Sequence, residues 1–190
     1  VANSLQSLSS NNAFVRGISN LASTASFISD NVIRNLSSNS SISGSVNLAG
    51  IFINSSSADT IVRNRIYNLS GTTVSSVAVN NIGIHVQTST GVGFVATIDR
   101  NQIHSFETLN SSQTIVGIRL SQGNNTCSNN MIRLGLKIDG SSMTIPSEIF
   151  GIVDETGSPK LFHNSIYIGG TGVLSSSFTT AAFKRSNTAV

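Results

Sequence analysis

A Gly-Ile pair recurs at Gly17-Ile18, Gly50-Ile51, Gly83-Ile84, Gly117-Ile118 and Gly151-Ile152, at a near-constant interval of about 33 residues. Ala182-Phe183 stands close to where a sixth copy would begin. A fixed period of this length over nearly a whole chain marks stacked supersecondary units. One such unit cannot bury its apolar face alone, so neighbouring copies must cover one another.

A second signature follows each pair: Asn, any residue, then Ile. It reads Asn31-Val32-Ile33, Asn64-Arg65-Ile66, Asn101-Gln102-Ile103, Asn130-Met131-Ile132 and Asn164-Ser165-Ile166. Ahead of each Asn, always at the same spacing, stands Ile28, Ile61, Ile98, Cys127 or Leu161. Asn3-Ser4-Leu5 opens the chain as a related fragment ahead of Gly17. The stretch from Gly to Asn varies, longest from Gly83 to Asn101 and shortest from Gly117 to Asn130 and from Gly151 to Asn164. The overall period barely moves meanwhile, as fixed strands joined by elastic turns require.

After each Gly the apolar residues alternate. Ile51 and Ile53 oppose Phe52 and Asn54, Ile84 and Val86 oppose His85 and Gln87, and Ile118 and Leu120 oppose Arg119 and Ser121. Period two predicts strands with the Ile set buried. The Asn-x-Ile segments alternate in the same way, sending Arg34, Tyr67, His104, Arg133 and Tyr167 outward. Abundant Ser, Thr, Asn and β-branched residues disfavour helix. Each unit therefore holds two strands, with a third expected in the Ser-rich stretch before the next Gly.

Stacking in register puts like residues about 4.8 Å apart, Ile over Ile in the core and Asn over Asn at a corner. An amide has the donors and acceptor that an interior turn lacks, and stacked amides bond along the axis. Asn also tolerates the left-handed backbone of tight corners. Asn31, Asn64, Asn101, Asn130 and Asn164 are thus expected to form a structural ladder. Leucine-rich repeats are shorter and carry a leucine frame absent here, and ankyrin-like units need two helices each.

These Gly-Ile and Asn-x-Ile segments and their inward Ile columns resemble the right-handed parallel β-helix repeats of the pectate-lyase-like superfamily. The expected fold is all-β, with residues 1–190 as one right-handed parallel β-helix (a solenoid). It should have about five coils, each of roughly 33 residues, starting near Gly17, Gly50, Gly83, Gly117 and Gly151. Both ends fall inside a repeat, so flanking coils or caps of a parent chain are expected. The resemblance implies an extracellular or cell-surface setting. It covers Asn3 to about Arg185 and is weak for any particular function.

Composition narrows that function. Charged residues are only 10%, against about a quarter in ordinary globular chains; 35 Ser and 21 Asn take their place. The formal charge of +3 includes only three lysines, and no basic run exists to follow a phosphate backbone. Nucleic acid is therefore not an expected partner. No apolar run approaches the roughly 18 residues of a membrane span. The single Cys127 supplies neither an internal disulfide nor a metal cluster.

The superfamily's polysaccharide-cleaving members gather carboxylates on one strand face, because glycoside cleavage needs an acid and a base near one bond. Here the eight acids occupy unlike repeat positions, and neighbouring Asp154 and Glu155 point to opposite faces. No catalytic residue, metal or cofactor is expected. The outward face of the Gly-Ile strands offers His85, Gln87, Arg119 and Glu155 as candidate glycan-binding residues. The expected role is a non-catalytic structural or adhesive region of a larger secreted or surface protein, in contact with glycan. The alternatives are a fragment of a polysaccharide lyase or glycoside hydrolase, and a tailspike-like fibre segment.

Overall fold

The computed structural model describes residues 6–9, 13–40, 46–73, 79–87, 95–108, 113–171 and 178–186. Numbered in chain order, the 17 strands among the described residues form three parallel sheets that wall a tube. The Gly sheet holds β2 (Ala13–Asn20), β5 (Val46–Ile53), β8 (Val79–Val86), β11 (Gln113–Leu120), β14 (Glu148–Asp154) and β17 (Thr180–Arg185). The short sheet holds β3 (Phe27–Ser29), β6 (Thr60–Val62), β9 (Thr97–Asp99), β12 (Thr126–Ser128) and β15 (Lys160–Phe162). The Asn sheet holds β1 (Gln6–Ser9), β4 (Val32–Ser40), β7 (Arg65–Thr73), β10 (Gln102–Thr108), β13 (Met131–Leu134) and β16 (Ser165–Ile168). The chain visits Gly sheet, short sheet and Asn sheet in turn: a parallel β-solenoid.

Like stacks on like. Ile33, Ile66, Ile103, Ile132 and Ile166 are successive partners across the Asn sheet. Ile28, Ile61, Ile98, Cys127 and Leu161 are partners across the short sheet. Ile18, Ile51, Ile84, Ile118 and Ile152 line the Gly sheet and end on Phe183. These columns meet in one continuous core. Burial in that core pushes the Cys127 thiol up to about 12.

Two expectations change. The third strand found in each coil lies elsewhere than in the Ser-rich stretch before the next Gly, parts of which (41–45 and 74–78) lie outside the described residues. It is the short strand just before the Asn, its middle residue inward, and it is too brief to show an alternation. The strands read from the alternation after each Gly also begin ahead of it: Gly83 lies inside Val79–Val86. There the ladder skips a pairing, since Ala49 partners Ile82 and Ile51 partners Ile84 while the glycines between them do not pair. Asn3, the related fragment at the start of the chain, lies outside the described residues.

Glycine is required because the opposite wall fills its side-chain space. A Cβ on Gly83 would stand 2.7 Å from Ile103 Cγ2 and 2.5 Å from the Gly117 carbonyl oxygen. Gly50 meets Ile66 and the Gly83 carbonyl in the same way. The two sequence signatures are thus the two halves of one contact.

The Asn ladder closes the corner between the short and Asn sheets. Asn64 Oδ1 accepts from Asn31 N and Nδ2, both at 3.0 Å, and Asn101 Oδ1 accepts from Asn64 N and Nδ2 at 2.9 and 3.0 Å. Asn130 and Asn164 continue the file. Each of Asn64, Asn101, Asn130 and Asn164 also donates Nδ2 at 2.9 Å to a carbonyl of the preceding coil's short strand: Ile28, Ile61, Ile98 or Cys127. The left-handed residue at this corner is not the Asn but the one before it: Asp30, Arg63, Arg100, Asn129 and His163, with φ between 51 and 59°. That turn aims the amide into the tube.

Replacing Gly83 with Ala drives a methyl into backbone, and we expect a loss of about 2 kcal/mol or more in denaturant unfolding. Asn101→Ala orphans buried donors and acceptors on both neighbouring coils and costs about 3 kcal/mol. Gln102→Ala, on the exposed side of the same strand, stays within about 0.5 kcal/mol of the parent. Equal effects of the Asn101 and Gln102 substitutions would contradict the ladder.

Candidate functional site

Strand alternation carries the residues between the core positions to the outside of the tube, where two of the walls have a chemically distinct face. On the Gly sheet, Phe52, His85, Arg119 and Val153 are successive partners. Gln87, Ser121 and Glu155 continue in the neighbouring column, each backbone amide bonding the preceding coil.

The four candidate ligand residues largely engage one another's surroundings. Arg119 donates Nε to Glu155 Oε1 at 2.8 Å, with Nη2 at 2.7 Å from the same oxygen. Burial raises the Glu155 carboxyl, but hydrogen bonding to Ser121 and the Arg119 charge outweigh it and hold the group below its ordinary value. His85 Nε2 lies 3.0 Å from Ser121 Oγ, and its ring sits edge-on to Phe52 at 5.2 Å. Burial, then the Arg119 charge, lowers the His85 imidazole to about 4. Gln87 is exposed.

This face also holds apolar residues, three of which lie ahead of the alternation that follows each Gly. Ile82, Val116, Phe150 and Val153 form a second cluster outside the tube, with Phe150 only 2% exposed. Three of these directly precede a repeat Gly, at positions equivalent to Ala49. Cations cover the cluster's rim: Arg16 lies 3.6 Å over the Phe52 ring and Lys184 Nζ 4.3 Å over Phe150. Two shallow hollows flank the cluster, about 140 Å³ beside Phe52 and His85 and about 100 Å³ beside Arg119 and Glu155.

On the Asn sheet, Arg34, Tyr67, His104, Arg133 and Tyr167 form the outward column expected from sequence. Tyr67 and His104 stack with ring centroids 5.0 Å apart and planes 3° from parallel. Arg34 Nη1 donates to the Tyr67 hydroxyl at 3.3 Å, and Arg65 lies 4.9 Å over the Tyr67 ring. Burial, then the charges of Arg133 and Arg65, lowers the His104 imidazole. A hollow of about 440 Å³ opens beside this column, between Arg65, Gln102, His104, Met131, Arg133 and Tyr167.

The acids are dispersed along the tube and mostly bind it together. Arg63 forks onto Asp30 of the preceding coil with two bonds of 2.7 Å. Asp59 accepts from Ser26 N at 2.8 Å, from Asn20 Nδ2 at 3.0 Å and from the Ser55 hydroxyl. Asp99 accepts from Ser128 and Asn129 of the next coil, and Thr114 donates to Glu148. Asp139 caps its own turn through Ser141. Asp154 points into the tube at the column of Leu120. It accepts from Gly157 N at 3.0 Å, and its Oδ2 stands 3.5 Å from Arg185 Nε. Burial raises its carboxyl above the ordinary value. Among the described residues, no three His, Cys, Asp or Glu side chains are placed to hold a metal ion.

The buried polar positions carry little signal in the sequence. Asn81 occupies an apolar core column beside Leu48 and Ile115 and donates to the Glu107 carbonyl at 2.8 Å. Short secondary amide files join Asn35 to Asn68 at 2.7 Å and Asn47 to Asn80 at 3.0 Å. Each recurs over only two coils, too few to rise above the background of Asn.

No family model, curated protein or solved structure matches this chain. The architecture is therefore established by its own geometry, and the likeness to the pectate-lyase-like superfamily rests on repeat pattern alone.

The partly buried imidazole gives a direct check. The His85 resonance is expected to titrate near pH 4 in the folded chain. The unfolded chain protonates near its ordinary pKa of about 6.5, so this residue's contribution to stability is complete above that pH and lost as pH falls from there to about 4. Thermal unfolding of His85→Gln should be less sensitive to that pH interval than the parent; an unchanged pH profile would exclude the partly buried neutral ring.

Proposed function

We propose that the chain is a non-catalytic structural and adhesive segment of a larger secreted or cell-surface protein, a stiff solenoid whose flank contacts glycan. The observation that carries this reading is the use of its acids. Seven of the eight bind neighbouring side chains or backbone, most across adjacent coils, so their charge joins coils together. A glycosidase needs two carboxyl groups free to address one bond, and a calcium-assisted lyase needs six or more oxygens around the ion. The sparse lysines and the Ser-, Thr- and Asn-rich surface suit an extracellular setting, as does the likeness to the pectate-lyase-like repeats. On the Gly sheet, exposed Gln87 and the rims of the two hollows are the groups open to sugar hydroxyls.

Incubation with alginate, polygalacturonate and xylan, followed by reducing-end and unsaturated-uronate assays, should show no turnover. Turnover abolished by Glu155→Gln would overturn the structural reading in favour of a polysaccharide lyase or hydrolase.

A further inference from the structure

The arginines are used in different ways. Arg63, Arg100, Arg119 and Arg185 each pair with a carboxylate, at Asp30, Asp99, Glu155 and Asp154. Arg16 covers the Phe52 ring on the Gly sheet. Arg34, Arg65 and Arg133 all lie on the outward face of the Asn sheet, and none has a carboxylate partner among the described residues. Their contacts are neutral instead. Arg34 meets the Tyr67 hydroxyl, Arg65 the Tyr67 ring and Arg133 the Ser105 hydroxyl at 3.0 Å. A chain that pairs most of its other guanidinia with acids leaves these three with unused charge.

Two of them flank the hollow of about 440 Å³. Arg65 and Arg133 stand two coils apart, roughly 10 Å at about 4.8 Å per coil, on either side of Gln102 and His104. Met131, 59% exposed, gives the hollow an apolar side, and Tyr167, 56% exposed, forms its far edge. Guanidinium groups take carboxylate, sulfate or phosphate oxygens in pairs, and an exposed Tyr offers a flat amphipathic ring. Convergent polar groups beside exposed apolar surface are the make-up of a ligand site.

We propose that this hollow binds an anion-bearing polysaccharide, with Arg65 and Arg133 holding successive charged groups and Tyr167 receiving a sugar ring. The assignment rests on the adhesive reading above and adds to it a second face, on the Asn sheet, with its ligand chemistry. The spacing along the axis suits a linear chain lying parallel to the tube. Single-stranded nucleic acid fits less well, since it needs successive open aromatic platforms. Tyr67 and His104 are stacked on each other, which leaves Tyr167 as the open ring of the hollow.

The test is titration of the whole chain with alginate oligosaccharide, dextran sulfate, neutral dextran and a single-stranded oligothymidylate. We expect one or both polyanionic glycans to bind and neutral dextran not to; alginate against dextran sulfate separates carboxylate from sulfate recognition. Arg65→Gln with Arg133→Gln should weaken binding about tenfold or more, with circular dichroism and melting temperature unchanged. Arg63→Gln, which removes an exposed corner charge, should leave it within about twofold. Equal weakening by Arg63→Gln, tighter binding of the oligonucleotide, or silence toward both polyanions would each overturn the assignment. Binding of neutral dextran that ignores the double variant would overturn the assignment while preserving the adhesive reading.

Discussion

The tube closes on a contact between a missing side chain and a branched one. At each level a glycine of one wall receives the Cγ2 methyl of an isoleucine from another, and the glycine carbonyl of the next coil fills what space remains. Any Cβ there would have to displace backbone, which no rotamer change can relieve. The contact sets the separation of the walls, and it recurs at every coil because both partners recur.

The amide file solves the complementary polar problem. Extended chain turning inward at a corner leaves N–H and C=O groups that sheet pairing cannot reach, and burying them bare is costly. Each Asn answers with one oxygen accepting twice and one amide donating both along the file and to the coil before it. Hydrophobic stacking alone would tolerate a slip between coils. The amide file is discrete, so its bonds either form in register or fail.

What the sequence disclosed follows from this division. The Gly, Ile and Asn columns were legible because the residue itself repeats. The corner was not: Asp30, Arg63, Arg100, Asn129 and His163 share a left-handed backbone and little chemistry, since their side chains face away from the core. The outer cluster was hidden for a similar reason, because the position before Gly reads Arg16, Ala49, Ile82, Val116, Phe150 and, at the sixth level, Ala181. Of the candidate ligand residues, sequence placed His85, Gln87, Arg119 and Glu155 on one face. That Arg119 and Glu155 bond each other, and that His85 is screened by Phe52, depends on reach between coils. The unpaired status of Arg65 and Arg133 likewise emerges only when the carboxylates have been given their partners.

The amide file has a sense of direction, for every Asn from Asn31 to Asn130 gives its protons to the side-chain oxygen of the coil that follows. Removing one whole coil would therefore break a set of bonds at one cut surface identical in kind to the set waiting at the other, and the cut ends would rejoin without a mismatch. Such a molecule can lengthen or shorten by complete turns through duplication or deletion in its gene, keeping its cross-section constant while its reach changes.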